Sequence, residues 1–155
     1  MSSLSLVGPC WTEADADKLG SPGTYAACSV SASSQAVSTL RRFARDMAEQ
    51  WGVPDEAMYA MCLVVSELVT NSVLHSGSAD VELAMRIREF TVTIQVKDSG
   101  TWLPQKRSAS VQREEDEYGR GLQIVRTYTT RCLVAATQRG TEVNAEIDVS
   151  APFHS

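Results

Sequence analysis

The chain has 155 residues and a formal charge of −5, with 43% hydrophobic and 21% charged residues. That length fits one domain able to bury a substantial core. The acidic balance argues against a nonspecific nucleic-acid or anionic-membrane binder, because such partners are met by positive surfaces. Cys10, Cys28, Cys62 and Cys132 are too far apart for a zinc motif or a disulfide framework, and Cys62 and Cys132 read as small core residues. Met1 to Cys10 lack a basic n-region and a long apolar stretch, and no later segment reads as long enough to cross a bilayer. The expected compartment is the cytoplasm, with reduced thiols.

Residues 1–22 are rich in Ser, Gly and small polar residues, are broken by Pro9, Gly20 and Pro22, and read as a flexible leader. Tyr25 to Ser31 is a candidate edge strand. Ser33 or Ser34 caps a helix to about Gln50, on which Val37, Leu40, Phe43, Ala44, Met47 and Trp51 recur at spacings of three and four, and Gly52 stops it. Arg41, Arg42 and Arg45 share part of its outer side, read either as a solvated face or as a surface for an acidic partner. Pro54, followed by Asp55 and Glu56, opens a second helix in the position where its missing donor costs nothing. That helix runs to His75 and buries Met61, Val64, Val65, Leu68, Ser72 and Val73.

The period then changes to two. Val81, Leu83, Met85 and Ile87, and then Phe90, Val92, Ile94 and Val96, describe a hairpin with one buried face, connected at Arg88-Glu89. The second strand runs into Lys97-Asp98-Ser99-Gly100. Residues 101–118 have no steady period and read as a lid, binding loop or disordered segment. Gly119-Arg120-Gly121-Leu122 leads into a helix over about 121–130 whose inner side is Leu122, Ile124 or Val125, and Tyr128. Arg131 to Thr137 and Thr141 to Val149 form a last hairpin meeting at Arg139-Gly140. The expected fold class is α+β, a two-layer sandwich with a mostly antiparallel sheet and helices on one face, the other face being open to solvent or a partner. The expected division is a leader over 1–22, one domain over 23–150 and a tail over 151–155.

Three polar features interrupt this apolar plan. Glu67, Asn71 and His75 lie four residues apart, on roughly one helical face. Alone, Asn71 also reads as a satisfied boundary group, Glu67 as a solvent residue and His75 as a helix-closing residue. Asp98-Ser99-Gly100 ends a strand. Gly119-x-Gly121 is either a simple turn or a phosphate seat, since glycines before a helix expose amide donors at its positive end. It lacks the Lys-Ser/Thr of a P-loop, and it follows a loop rather than opening a βαβ unit.

Together, Glu67-Leu68-Val69-Thr70-Asn71-Ser72-Val73-Leu74-His75, Asp98-Ser99-Gly100 and Gly119-Arg120-Gly121-Leu122 resemble the boxes of the histidine-kinase-like ATPase domains, shared by histidine kinases, gyrases and Hsp90-type chaperones. More narrowly, they are similar to those of the small anti-sigma-factor serine kinases of Gram-positive bacteria. The family commonly has another glycine where this chain has Trp102. The resemblance implies ATP and Mg²⁺ as cofactors and Asn71 as the metal ligand. It implies Asp98 as acceptor of the adenine amino proton, with Gly100 admitting the base and Thr141 reaching the adenine side. Gly119, Arg120, Gly121 and Leu122 complete the cofactor-binding set at the phosphates, beneath the preceding loop as a lid. Glu67 is implied as general base, with Arg120 offsetting charge at the transferring phosphate.

His75 is expected to be structural, and no dimerisation domain bearing a phosphoacceptor histidine is expected. The implied activity is protein serine/threonine phosphorylation by a regulator that also holds a sigma factor inactive. The alternative is a nucleotide-responsive or nucleotide-independent binding regulator without phosphotransfer. Expected partners are a sigma factor, an anti-sigma-factor antagonist and a second copy of the chain, with no direct nucleic-acid or membrane partner.

Overall fold

A computed structural model describes residues 24–75, 77–100, 119–137 and 139–150. The elements in order are β1 (Tyr25–Ser31), α1 (Ser34–Gln50), α2 (Asp55–His75), β2 (Asp80–Arg88), β3 (Thr91–Asp98), α3 (Gly119–Tyr128), β4 (Arg131–Thr137) and β5 (Gly140–Asp148). The strands form one sheet in the order β1-β2-β3-β5-β4, and every pairing is antiparallel. The α+β two-layer architecture read from the period changes is therefore the one observed.

Local chemistry accounts for the boundaries. Ser33 caps α1, its side chain accepting from Gln35 N at 3.3 Å. At the other end Gly52 takes φ 69°, Gly52 N donates to Glu49 O at 3.1 Å, and Val53 N reaches back to Ala48 O at 2.9 Å. This pair of bonds is a Schellman closure, and Val53 and Ala48, both buried, supply its apolar contact. Pro54 stands one position earlier than expected, its carbonyl accepting from Met58 N at 2.8 Å as the first bond of α2.

Leu40, Phe43 and Ala44 of α1 and Met61, Val64, Val65 and Leu68 of α2 are buried with Leu83, Met85, Ile94, Val143 and Ile147 of the sheet. Ser72 is buried too, whereas Val73 is only partly so. On α3 the inward residue is Val125, while Ile124 is partly buried. The length and hydropathy of Asp55–Leu74 would suit a membrane span, which corrects the reading that no segment reaches that length. The core accounts for its character: α2 packs against α1, α3, β2, β3 and β5, so even its flanks are apolar.

Four further expectations shift. The β2–β3 connection is Glu89-Phe90, because Arg88 pairs with Thr91. Glu89 takes φ 54° in this two-residue turn, which places Phe90 outside the strand and leaves it 65% exposed rather than in the buried row. Helix α3 begins at Gly119 and ends at Tyr128, two residues earlier at each end than expected. β5 begins at Gly140, opposite Thr137. Cys62 and Cys132 are only partly buried, and Cys28 is the cysteine enclosed in the core. The leader over 1–22, the lid over 101–118 and the tail over 151–155 lie outside the described residues.

Gly140 is a position where only glycine fits. Its φ is 146°, and a Cβ placed there would overlap the Asp98 carbonyl oxygen on the adjacent strand. Gly140→Ala is expected to cost about 2–4 kcal/mol, because backbone strain and steric overlap add in one place. Urea unfolding of the two proteins measures the difference, with the slope of the transition showing whether the native fold is retained.

Candidate functional site

Chain connectivity brings the three polar features to one end of the sandwich. Only four residues separate His75, the last of α2, from Asp80, the first of β2. Val81 pairs with Asp98 at the end of β3, and Asp98 pairs with Thr141 near the start of β5. The side chains of Val81, Asp98 and Thr141 thus share the inner face of the sheet, beside the C-terminal half of α2. Helix α3 reaches the same end. The Tyr59 and Tyr128 rings meet edge to face with centroids 6.5 Å apart, which holds the end of α3 near the start of α2. A helix of ten residues spans about 15 Å, so its Gly119 end is turned toward the level of Glu67 and Asn71. Gly119, Arg120 and Gly121 form the first turn of α3, where amide hydrogens have no intrahelical acceptor.

The strand-end turn is stapled from two sides. Asp98 is buried, and its Oδ1 accepts from Gly100 N at 3.0 Å. Ser78 Oγ lies 3.1 Å from Ser99 N, which donates to it, 2.9 Å from Ser99 Oγ and 2.7 Å from Asp80 O. Ser78 therefore ties the segment leaving α2 to the turn that carries Asp98. No motif reading singled it out, since a serine before a strand looks like ordinary loop chemistry. Gly140 is the other contributor that sequence spacing did not weigh: its missing side chain lets β5 approach the Asp98 carbonyl.

Asn71 and Thr141 are both buried, and Asn71 Nδ2 and Thr141 Oγ1 have no hydrogen-bond partner among the described residues. A buried polar group without a partner costs roughly 1–3 kcal/mol, so native structures keep few of them. These two lie at the end of the fold that also holds the buried Asp98 carboxylate, and they are groups that a polar ligand there could pair. Glu67 is half-buried one helical turn before Asn71. The side chains of His75, Arg120 and Leu122 lie outside the described residues, as does Trp102. Among the described residues no three His, Cys, Asp or Glu side chains gather as a metal centre.

A concavity lies away from this end. A cavity of about 500 Å³ between α1 and α2 is lined by Ser38, Arg41, Arg42, Arg45, Asp55, Met58, Tyr59 and Cys62. Arg41 Nη1 is 3.5 Å from Ser66 Oγ, so this arginine bridges the two helices. Burial pushes the Cys62 thiol above its usual range, while Arg45 and then Arg41 pull it back. The exposed arginines of α1 thus line one wall of a groove, with exposed Tyr59 of α2 on the facing wall.

The family follows from outside the chain as well. Residues 30–147 match the model of the histidine kinase-like ATPase domain, and the chain belongs to that family. Among solved structures it is similar to the RsbU and RsbW domains of Rv1364c from Mycobacterium tuberculosis, at 18% identity and a TM-score of 0.62 over 83% of this chain. It covers 34% of that longer protein. It is also similar to the histidine kinase domain of the blue-light activated histidine kinase EL346 from Erythrobacter litoralis, at 22% identity and a TM-score of 0.52 over 86% of this chain and 68% of the other. No curated protein sequence matches it.

The orphaned hydroxyl gives a test that needs no ligand. Thr141→Val keeps the shape and removes the unsatisfied group, so the ligand-free protein is expected to gain about 1 kcal/mol of stability. Denaturant unfolding reads this directly. A loss of stability would mean that the hydroxyl is already satisfied in the free protein.

Proposed function

We propose that the chain is an ATP-dependent protein serine/threonine kinase that holds a sigma factor inactive and phosphorylates an anti-sigma-factor antagonist. The observation that carries the nucleotide part is the pair of orphaned buried atoms, Asn71 Nδ2 and Thr141 Oγ1, at the end of the fold that also holds Asp98. Asp98 would accept the adenine amino proton, Gly100 would leave room for the base, and Thr141 would bond on the adenine side. Gly119, Arg120, Gly121 and Leu122 would receive the phosphates at the start of α3, where amide donors converge.

Asn71 Oδ1 would hold a Mg²⁺ that takes its other ligands from phosphate and water, the usual arrangement for this hard ion, while the orphaned Nδ2 is a donor free for a phosphate oxygen. When bound, the ion supplies positive charge against the phosphate oxygens. Glu67, one turn away, would take the proton from the attacking hydroxyl, and Arg120 would stabilise charge developing on the transferred group.

The partner part draws on the similarity of the polar boxes to those of anti-sigma-factor kinases, and on the arginine-lined groove. An acidic chain with one cationic, partly apolar groove is suited to an acidic protein surface with an apolar anchor. A binding regulator without phosphotransfer is the second reading, and Trp102 favours it because a bulky residue replaces the glycine common in the second box.

Catalysis decides between the two. Glu67→Gln keeps the size and removes the proton acceptor, so Mg²⁺-ATP affinity should stay near wild type while phosphotransfer to the antagonist falls on the order of 100-fold or more. Asp98→Asn should instead weaken nucleotide binding with or without Mg²⁺ in calorimetry. A wild-type protein that binds Mg²⁺-ATP and its cognate antagonist yet transfers no phosphate would establish the second reading.

The groove is tested separately. Arg41→Glu with Arg45→Glu is expected to weaken protein-partner binding by about 10- to 100-fold and to leave Mg²⁺-ATP affinity unchanged. Unaltered partner binding in titrations with the double variant would remove the groove from the interface.

A further inference from the structure

Strand β4 is an edge of the sheet, with β5 on one side and no described strand on the other. The register fixes which of its backbone groups are spare. Val149 N donates to Phe90 O at 2.8 Å in the same register as the other β3–β5 pairs, so Ile147, Ala145 and Val143 exchange bonds with β3. Backbone groups alternate sides along a strand. Glu142, Asn144 and Glu146 therefore bond toward β4, where they meet Ala135, Leu133 and Arg131. Cys132, Val134 and Ala136 are left to point their N–H and C=O groups off the edge.

The side chains repeat the pattern on both faces. Leu133, on the outer face, is 51% exposed, and Val134, on the helix face, is 47% exposed. The helix layer stops one strand short, since Val143 on β5 is fully buried while Val134 opposite it is not. Natural edge strands are blunted by proline, lysine, inward charge or a bulge. From Cys132 to Thr137 this strand has no proline and no charged residue, and its register with β5 runs without a break. An open edge with apolar side chains on both faces suits strand addition, in which main-chain bonds give affinity and alternate side chains give specificity.

We propose that the free edge of β4 is a docking site for an extended segment of a partner protein, apolar in its middle and acidic at its ends. Charge selects this occupant. Arg131 opens β4 and Arg139 stands in the turn after it, with no acidic residue between them. Glu142 and Glu146 are on β5, one strand farther from the edge. Burial pushes the Cys132 thiol up and the charge of Arg126 pulls it back, so a third cation lies beside the strand. A second copy is the wrong match: antiparallel pairing turns Arg131 of one copy toward Arg139 of the other, and parallel pairing sets identical residues side by side. A strand with acidic ends converts the same positions into opposite-charge pairs. The site is independent of the nucleotide chemistry and of the groove between α1 and α2.

The probe is a fluorescein-labelled synthetic peptide of alternating valine and threonine with two glutamates at each end, titrated with the full chain and read by anisotropy. Saturable binding is expected, weakened about 10-fold or more by Val134→Pro. Proline removes the central outward N–H and none of the bonds to β5, an orientation in which edge strands tolerate it, and circular dichroism checks the fold. Val134→Glu serves where Val134→Pro does not fold, because it keeps the backbone and sets a like charge against the peptide. Lysines in place of the glutamates are expected to weaken binding to the wild-type chain by about 10-fold or more. Absence of saturable binding, equal affinity for the wild-type and variant chains, or equal affinity for the two peptides overturns the proposal. Dimerisation of the wild-type chain in sedimentation that is lost in the variant would assign the edge to a second copy and would also overturn it.

Discussion

Helix α2 must satisfy two solvents at once, and the rest of the fold depends on how it does so. Met61, Val64, Val65 and Leu68 have no exposed surface and meet the sheet, while both other helices pack on its flanks. Fully burying each such side chain is worth about 1.5–3 kcal/mol, so this helix is the natural centre of the core. Its last three turns then carry Glu67, Asn71 and Ser72 at the edge of that core. A polar row can be held in place there because the turns before it are anchored, and it need not provide its own stability.

The same constraint explains why the polar end is expensive. Asn71 and Thr141 hide polar atoms that the described chain does not pair, and Gly140 takes a backbone geometry that few residues tolerate. Each is unfavourable locally. They sit on elements whose other residues are fully packed: Val143, Ala145 and Ile147 on β5, and Val64, Val65 and Leu68 on α2. Strain and orphaned donors concentrated on rigid elements are what preorganisation for a polar ligand looks like in energetic terms.

Much of this was legible in the residue pattern, for physical reasons that can be named. A period of 3.6 along Met61–Ser72 and a period of two along Val81–Met85 are imposed by the geometry of helix and strand, so the layers follow from them. The three polar boxes stood out because they break those periods. What escaped is set by contacts between distant residues. The turn at Glu89-Phe90 depends on the register of β2 against β3, and a shift of one residue moved Phe90 from an expected core row to the surface. The Ser78 staple and the Gly140 clearance depend on which strand ends lie side by side, and no local spacing encodes that.

The arginines of α1 show how topology changes the meaning of a charge cluster. On an isolated helix, Arg41, Arg42 and Arg45 would be a solvated face in an ensemble of long side chains. Packing α1 against α2 sets them opposite Met58, Tyr59 and Cys62, and the contact of Arg41 with Ser66 ties one guanidinium to the neighbouring helix. That contact is long, at 3.5 Å, and all three arginines stay exposed, so screening by solvent still limits what any pairing there is worth. Meanwhile the C-terminal half of α2 carries the buried polar residues Asn71 and Ser72. Among the described residues, this groove combines positive charge with apolar lining. On a chain of net charge −5, the groove is a local patch of opposite sign to the whole.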